Sequence, residues 1–422
     1  MSHSSWYHRR PTLLPGRAVR ASRLVLARAV VGGFFNSMAF ALYALYVVRD
    51  AELSPFELVI VGTLLEGSVF LFEIPTGIVA DAFSRRLSVL TGTVLMGLSP
   101  LVMGLYPSFE GIMAGQFLLG VGFTFISGAQ EAWLADEVGE DEAARLYPRV
   151  AQWRLTAGVT GVLAAVGLGL WSHSLPFIVG GAGYALMAVP LAMTMTEGGW
   201  APAPREERGS WGRMAGTART GLGVATRRPM VRAALAVAFL LGFSSEAFDR
   251  LWGYRLIEEI GLPDGVDEVL LFGGIQLLVS VGGIAALRVG RRLTRDGSRA
   301  SASRLLSVTY ALIGGTVLAF ALVTPFWAAV ALVLAVGWVR TVEAPFRVAW
   351  VNRGLDPATR ATVLSAIGQA DSIGQVGSGP VFASIAGGWG ARAALALGAL
   401  VVLPAVGLVR TRPLEEREAR KE

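Results

Sequence analysis

Glu66 and Glu73 lie seven residues apart inside an unbroken apolar run at about 56–80, and Phe70 and Gly77 complete the same helical stripe. An ionisable side chain at mid-bilayer costs about 2.5–3.5 kcal/mol on insertion scales, so each one needs a partner or a wet cavity. A carboxyl sheltered from water can load and release a proton near neutral pH. Beside Pro75, Glu73 is equally read as locked in a structural hydrogen bond. Comparable groups recur further on: Gln130, Glu131 and Asp136, then Gln152 and Arg154, then Glu246, Asp249 and Arg250. Arg340, Glu343 and Arg347 follow at i, i+3 and i+7, a spacing that puts an ion triad on one helix face. Gln369, Asp371 and Gln375 close the series. Glu66, Glu73, Glu131, Glu246 and Asp371 are the candidates for proton handling, and Glu131 is expected to pair with Arg154 at similar depth.

The elements that must position these groups are apolar and long. Twelve runs stand at roughly 24–48, 56–80, 87–106, 109–134, 149–171, 176–195, 231–254, 266–287, 302–323, 326–351, 361–386 and 392–409. With 53% hydrophobic and 16% charged residues and a mean hydropathy of +0.55, the chain reads as an all-α integral membrane protein. The net charge of +6 is loop and tail charge, so it does not point to nucleic acid. Arginines concentrate on the side of the N-terminus, and only Arg49, Arg255 and Arg392 fall on the other, which places both termini in the cytoplasm. The first 23 residues are polar and arginine-rich and lack the pattern of a cleavable signal. The organisation expected is a basic tail (1–23), a six-helix bundle (24–195), a cytoplasmic linker (196–230), a second six-helix bundle (231–410) and a short tail (411–422). In the linker, Trp211, Met214, Ala218 and Leu222 at helical spacing suit either a segment resting on the inner leaflet or a flexible tether.

The loop between the second and third runs, Gly77-Ile-Val-Ala-Asp81-Ala-Phe-Ser84-Arg85-Arg86, combines a small residue, an acid and two arginines at a membrane face. Gly77 is expected where the two helices touch, with the charges bridging neighbouring helix ends. This stretch resembles the signature loop of the major facilitator superfamily, G-x-L-x-D-x-x-G-R-R, with Ser84 where that family usually has Gly and Val79 in place of Leu. An independent repeat supports the same architecture. Gly283, Leu287, Gly290, Arg291 and Arg292 reproduce the spacing 206 residues later; Asp356 to Arg360 echoes Asp141 to Arg145, and Glu343-Ala echoes Glu131-Ala. Two parallel six-helix repeats about an axis along the membrane normal are what that family has.

The resemblance implies twelve membrane helices in two pseudo-symmetric six-helix bundles, with runs 1, 4, 7 and 10 lining a central cavity. That maps Asn36, Tyr43, Gln116, Arg250, Trp338, Arg340 and Glu343 to the cavity. It also implies that Gly77, Asp81, Arg85, Arg86 and Asp136 form a gate holding helix ends together in the outward-facing state. Trp252 and Tyr254 suit an interfacial aromatic belt as well as a cavity. The Gly-Pro pair of antiporting relatives is missing from the fifth run, where Gly158 and Gly161 have no Pro, and appears instead at Gly379-Pro380 in the eleventh. Gln116 stands where drug exporters often have Arg.

Other chemistries are closed off by residue type. The chain has no Cys, and its three histidines are His3, His8 and His173, all outside the runs, so no metal ligand set or cofactor is expected. The single lysine, Lys421, lies in the tail, which excludes a P-loop. The expectation is a monomeric secondary transporter, not an enzyme, in the cytoplasmic membrane, working with protons and a small molecule within membrane lipid. Efflux of an amphipathic compound is the preferred direction, because aromatics and acids share the expected cavity. Uptake of a small polar metabolite is the alternative in the same class, and a non-transporting receptor or scaffold the alternative from another.

Overall fold

The computed structural model describes residues 15–199, 229–294, 298–352 and 357–410. The amphipathic reading of Trp211 to Leu222, both tails, and the Asp356–Arg360 repeat fall wholly or partly outside the described residues. Everything described is helix, turn or short connection, and ten helical stretches are long and apolar enough to cross a membrane. This is a multi-pass membrane protein.

The first group of helices is α1 (Pro15–Phe40), α2 (Tyr43–Arg49), α3 (Pro55–Ala82), α4 (Arg85–Leu105), α5 (Phe109–Ile126), α6 (Ala129–Val138), α7 (Glu140–Gly169), α8 (Ser174–Leu186) and α9 (Ala188–Thr194). The second group is α10 (Pro229–Tyr254), α11 (Glu268–Leu293), α12 (Arg299–Leu322), α13 (Phe326–Asn352), α14 (Pro357–Val402) and α15 (Pro404–Leu408). A π-helical turn, Arg255–Ile260, extends α10. Several starts are set by side-chain caps. Ser54 and Glu57 form a capping box on α3, and Ser84, Ser108 and Asp267 each accept the backbone N–H three residues on.

Several expected runs differ in detail. The fourth run breaks at Ser127-Gly128 into α5 and α6, and the connection to the fifth is one residue, Gly139, instead of a loop over 135–148. Gly139 has φ 88°, a left-handed value that costs a side-chain-bearing residue about 1–2 kcal/mol, and this lets two helices meet without a loop. Asp141 to Arg145 is therefore the first turn of α7. The eleventh and twelfth runs form one 46-residue helix that bends at Gly390, φ 84°. At 1.5 Å per residue, about 69 Å of straight helix would exceed any bilayer, so the bend divides it in two.

The molecule has two ends. At one, called here the Arg49 end, a large apolar core joins both groups through Leu42, Tyr46 and Val59 of the first and Phe248, Leu251 and Phe272 of the second. Gly379 rests on Thr63, Gly253 on Ala44, Gly273 on Val166 and Gly387 on Phe56, each a contact between groups. At the other, the Arg85 end, the buried cluster of Val25, Val89, Trp133, Leu134 and Met195 comes from the first group alone. Gly77 does not sit where helices touch: nothing approaches the space a Cβ there would fill. On α3 at that level the Gly77 face is open, while Thr76 and Ala80 are buried and Ala80 packs in the first group's cluster.

Gly139→Ala is expected to lower the melting temperature in detergent by several degrees, because a Cβ is strained at this φ. Gly67→Ala, in open space on α3, should leave it unchanged or raise it slightly. A Gly139→Ala protein melting with the parent would refute the strained-turn account.

Candidate functional site

Where the two groups meet, α10 presents Glu246 and Arg250 one helical turn apart, and Glu246 is only 2% exposed. Arg250 Nε donates to Glu246 Oε2 at 3.2 Å, and its Nη2 lies 3.7 Å from Glu66 Oε1 on α3. Gly62 makes this approach possible, since a Cβ on it would overlap the guanidinium. Tyr43, at the start of α2, accepts a hydrogen bond from Gln116 Nε2 of α5 at 2.8 Å, while Gln116 Oε1 is buried without a partner. Two carboxylates sharing one guanidinium leave a cluster with net charge −1, which a proton or a cationic group neutralises.

Along α13, the expected triad is rearranged. Arg340 does not turn to Glu343; it reaches across to Asp249 of α10 with both η nitrogens, Nη2 to Oδ2 at 2.9 Å, and lies over the Phe248 ring. Fork-on-carboxylate pairing outweighs a same-helix pair because it aligns two hydrogen bonds at once. Glu343 instead accepts from Arg347 Nε at 2.8 Å and from the Tyr310 hydroxyl at 2.9 Å. Asp371 on α14 accepts from Gln375 Nε2 at 2.8 Å.

Other candidates stand apart. Asn36 is half-buried on α1, and Trp338 is pinned by its indole N–H to the Leu278 carbonyl at 2.9 Å, between α11 and α13. Glu73 is exposed. Glu131 and Arg154 do not pair; both are exposed, where solvent satisfies each charge and an ion pair gains little. Trp252 stacks on Phe272 at 5.4 Å between centroids, inside the second group instead of in an aromatic belt, and Tyr254 is half-buried.

At the Arg85 end, Arg85 donates to Asp136 and, at 3.0 Å, to the Ala132 carbonyl of α6, while Asp81 is 4.0 Å away. Arg86 donates to the Ala192 carbonyl. All these contacts lie within the first group. Sequence reasoning missed Glu197, which accepts from the Ser84 hydroxyl at 2.8 Å and from Arg86 N–H at 2.7 Å. Ser84 thus does work that Gly at this position would not. Arg28 was also missed, although an arginine inside the first apolar run was the signal; its Nε and Nη2 are buried without partners.

At the Arg49 end, Arg49 pairs with Glu258 and Glu268 of the second group, both at 2.9 Å. His173 lies 2.8 Å from Asp50. Arg255, expected in a loop, is 4% exposed and holds the Phe320 and Val323 carbonyls, and its partner Glu259 accepts from Ala391 N–H beside the Gly390 bend.

A family model described as Major Facilitator Superfamily matches residues 24–335. No curated protein matches at a significant level. Solved structures share the fold at low identity. The nucleoside transporter NupG, as a mutant, is 11% identical with a TM-score of 0.74, over 92% of this chain and 98% of that one. The POT family transporter PepTSo is 12% identical with a TM-score of 0.70, over 96% and 99%. A bacterial homologue of the human lysosomal transporter Spinster, inward-facing and unoccupied, is 14% identical with a TM-score of 0.68, over 94% and 95%.

Two outcomes follow from the ends. Asp136→Ala strands the largely sheltered Arg85 and is expected to cost about 1–3 kcal/mol, whereas Asp81→Ala, at an exposed long pair, should stay within about 0.5 kcal/mol. Chemical or thermal denaturation of each variant checks the ranking, and equal effects would contradict it. The hydrogen bond to Asp50 raises the His173 pKa above its ordinary value, with the Glu268 and Asp267 charges adding to it. Stability from this pair is therefore complete below the ordinary histidine pKa and lost as pH rises through the elevated one. The melting-temperature gap between parent and His173→Gln should shrink from about pH 6 to about pH 9; a constant gap would remove the charged pair.

Proposed function

Because the chain belongs to the major facilitator superfamily, we propose that it is a proton-coupled secondary transporter that exports a small organic molecule by alternating access. Membership and the transporter folds it resembles speak for transport instead of catalysis. The observation that carries the coupling is the charge balance between the groups. Glu66, Glu246, Asp249, Glu343 and Asp371 face Arg250, Arg340 and Arg347, five acids against three arginines. The surplus resides in an apolar medium, where it has to be met by protons or by a cationic cargo.

In this reading twelve helices cross the membrane as two six-helix bundles, over 24–195 and 231–410. The ten apolar stretches are joined by α7, whose hydropathy Gln152 and Arg154 dilute, and the Gly390 bend makes two spans of α14. A cytoplasmic linker over 196–230 connects them, and the tails at 1–23 and 411–422 are also cytoplasmic, as the arginine distribution favours. The protein is a monomer in the cytoplasmic membrane. The Arg85 end faces the cytoplasm, so the present conformation is inward-facing, held by Arg49 to Glu258 and Glu268 across the outer side. Asp81, Arg85 and Asp136, expected to hold helix ends together in the outward-facing state, already tie α3, α4 and α6 together in this one, with Arg86 on α9, and closure of the inner side brings another helix onto Gly77. Protonation of Glu66 or Glu246 loosens the hold on Arg250 and permits the rocking. Efflux is the direction favoured by the aromatic and acidic surroundings of Tyr43, Phe248 and Glu246.

The test is flux of ethidium in proteoliposomes under an imposed pH gradient, with dye loaded inside or outside to fix direction. Glu66→Gln and Glu246→Gln are expected to cut gradient-driven flux about tenfold or more. Variants matching the parent would overturn the coupling assignment, and gradient-driven uptake alone would overturn the direction.

A further inference from the structure

Within the second group lies a cavity of about 250 Å³, set off from the Glu66–Arg250 junction. It is enclosed by α10, α12, α13 and both parts of α14. Its lining combines apolar side chains, Ile313, Val317, Val336 and Val402, with Ser244, Ser245, Asp371 and Gln375 and with the charged Arg340, Glu343 and Arg347. The charges in this lining are not equivalent. Arg340 is engaged by Asp249 through both η nitrogens, and Arg347 by Glu343, which also takes the Tyr310 hydroxyl. Both guanidiniums are thus already matched to carboxylates. Asp371 is half-buried and has Gln375 as its hydrogen-bond donor; among the described residues no cation lies within ion-pair distance of it, and the charges of Arg347 and Arg340 reach it only from farther off.

We propose that this cavity is a binding site for a small amine with an apolar body, the protonated amine on Asp371 and the body against Ile313, Val317, Val336 and Val402. The proposal rests on the transport reading for its role as the cargo site. An ammonium supplies N–H donors to the carboxylate and to the Ser244 and Ser245 hydroxyls, all acceptors, and neutralises the one wall charge without a counter-ion. An anionic head would meet arginines whose charges are already balanced and would leave Asp371 facing a like charge. A neutral head would satisfy the hydrogen bonds but leave the carboxylate uncompensated. The four apolar side chains offer a sugar-like body no hydrogen bonds, and it would lose those it makes to water there. A cavity with an apolar lining and a few convergent polar groups fixes orientation in this manner.

The experiment compares 4-phenylbutylamine, 4-phenylbutanol and 4-phenylbutyrate, one body with three heads, by titration calorimetry on the purified full chain in detergent. The amine is expected to bind about tenfold or more tighter than the alcohol, and the carboxylate weakest. Asp371→Asn should bring the amine down to the level of the alcohol while alcohol binding stays as in the parent, which also reports an intact cavity. Equal binding of the three heads, or the carboxylate tightest, would overturn the proposal in the parent protein alone, whatever the variant does. An undiminished amine preference in Asp371→Asn would overturn the placement. No gradient is present in this measurement. Loss of gradient-driven flux with the head-group ranking intact would therefore count against the transport reading and not against the site, and the converse result would do the reverse.

Discussion

An arginine enclosed by two acids from different halves of the molecule is the constraint on which this architecture turns. Arg250 cannot remain charged among apolar side chains without Glu246 beside it, and Glu66 reaches it from α3 only because Gly62 leaves the space. A buried pair of this kind is weak evidence for stability, since desolvation offsets much of the attraction, but removing one partner is costly. The same logic extends outwards through Arg340 with Asp249 and Arg347 with Glu343. Each of these three guanidiniums has found a carboxylate, and the acids left over are what the proposed coupling rests on.

The apolar contacts follow the same division. At the Arg49 end, one core runs through both groups, reinforced by ion pairs from Arg49 and by the backbone carbonyls that Arg255 holds. At the Arg85 end, the cluster around Trp133 contains first-group residues only, and Gly77 stands in open space. The proposed rocking would turn about the region where the two groups are joined. Small residues on the facing helices, such as Gly379 over Thr63, keep that contact close without interlocking long side chains.

The spacing of the 77–86 loop acquires a concrete meaning here. Arg85 is a brace between α4 and α6, and Ser84 is both the cap of α4 and a donor to Glu197 at the start of the connection between groups. The loop is thereby tied to the segment that leads into the second group. A glycine at 84 would supply neither bond.

Much of this was legible from residue order. The long apolar runs and the acids and arginines inside them follow from the energetics of a bilayer, which forbids unpaired backbone groups and penalises each buried charge, so composition and spacing alone declare an all-helical membrane protein. The proximity of Asp136 to Arg85 was also anticipated, through the resemblance of the loop. What residue order did not contain was which acid goes with which arginine. Glu343 sits within a turn of both Arg340 and Arg347, yet Arg340 crosses to Asp249, and Arg154 leaves Glu131 alone; such choices depend on distances between helices far apart in sequence. The one-residue turn at Gly139, the bend at Gly390 and the cavity beside Asp371 likewise arise only when helices pack, because each is a property of the space between elements and not of any element by itself.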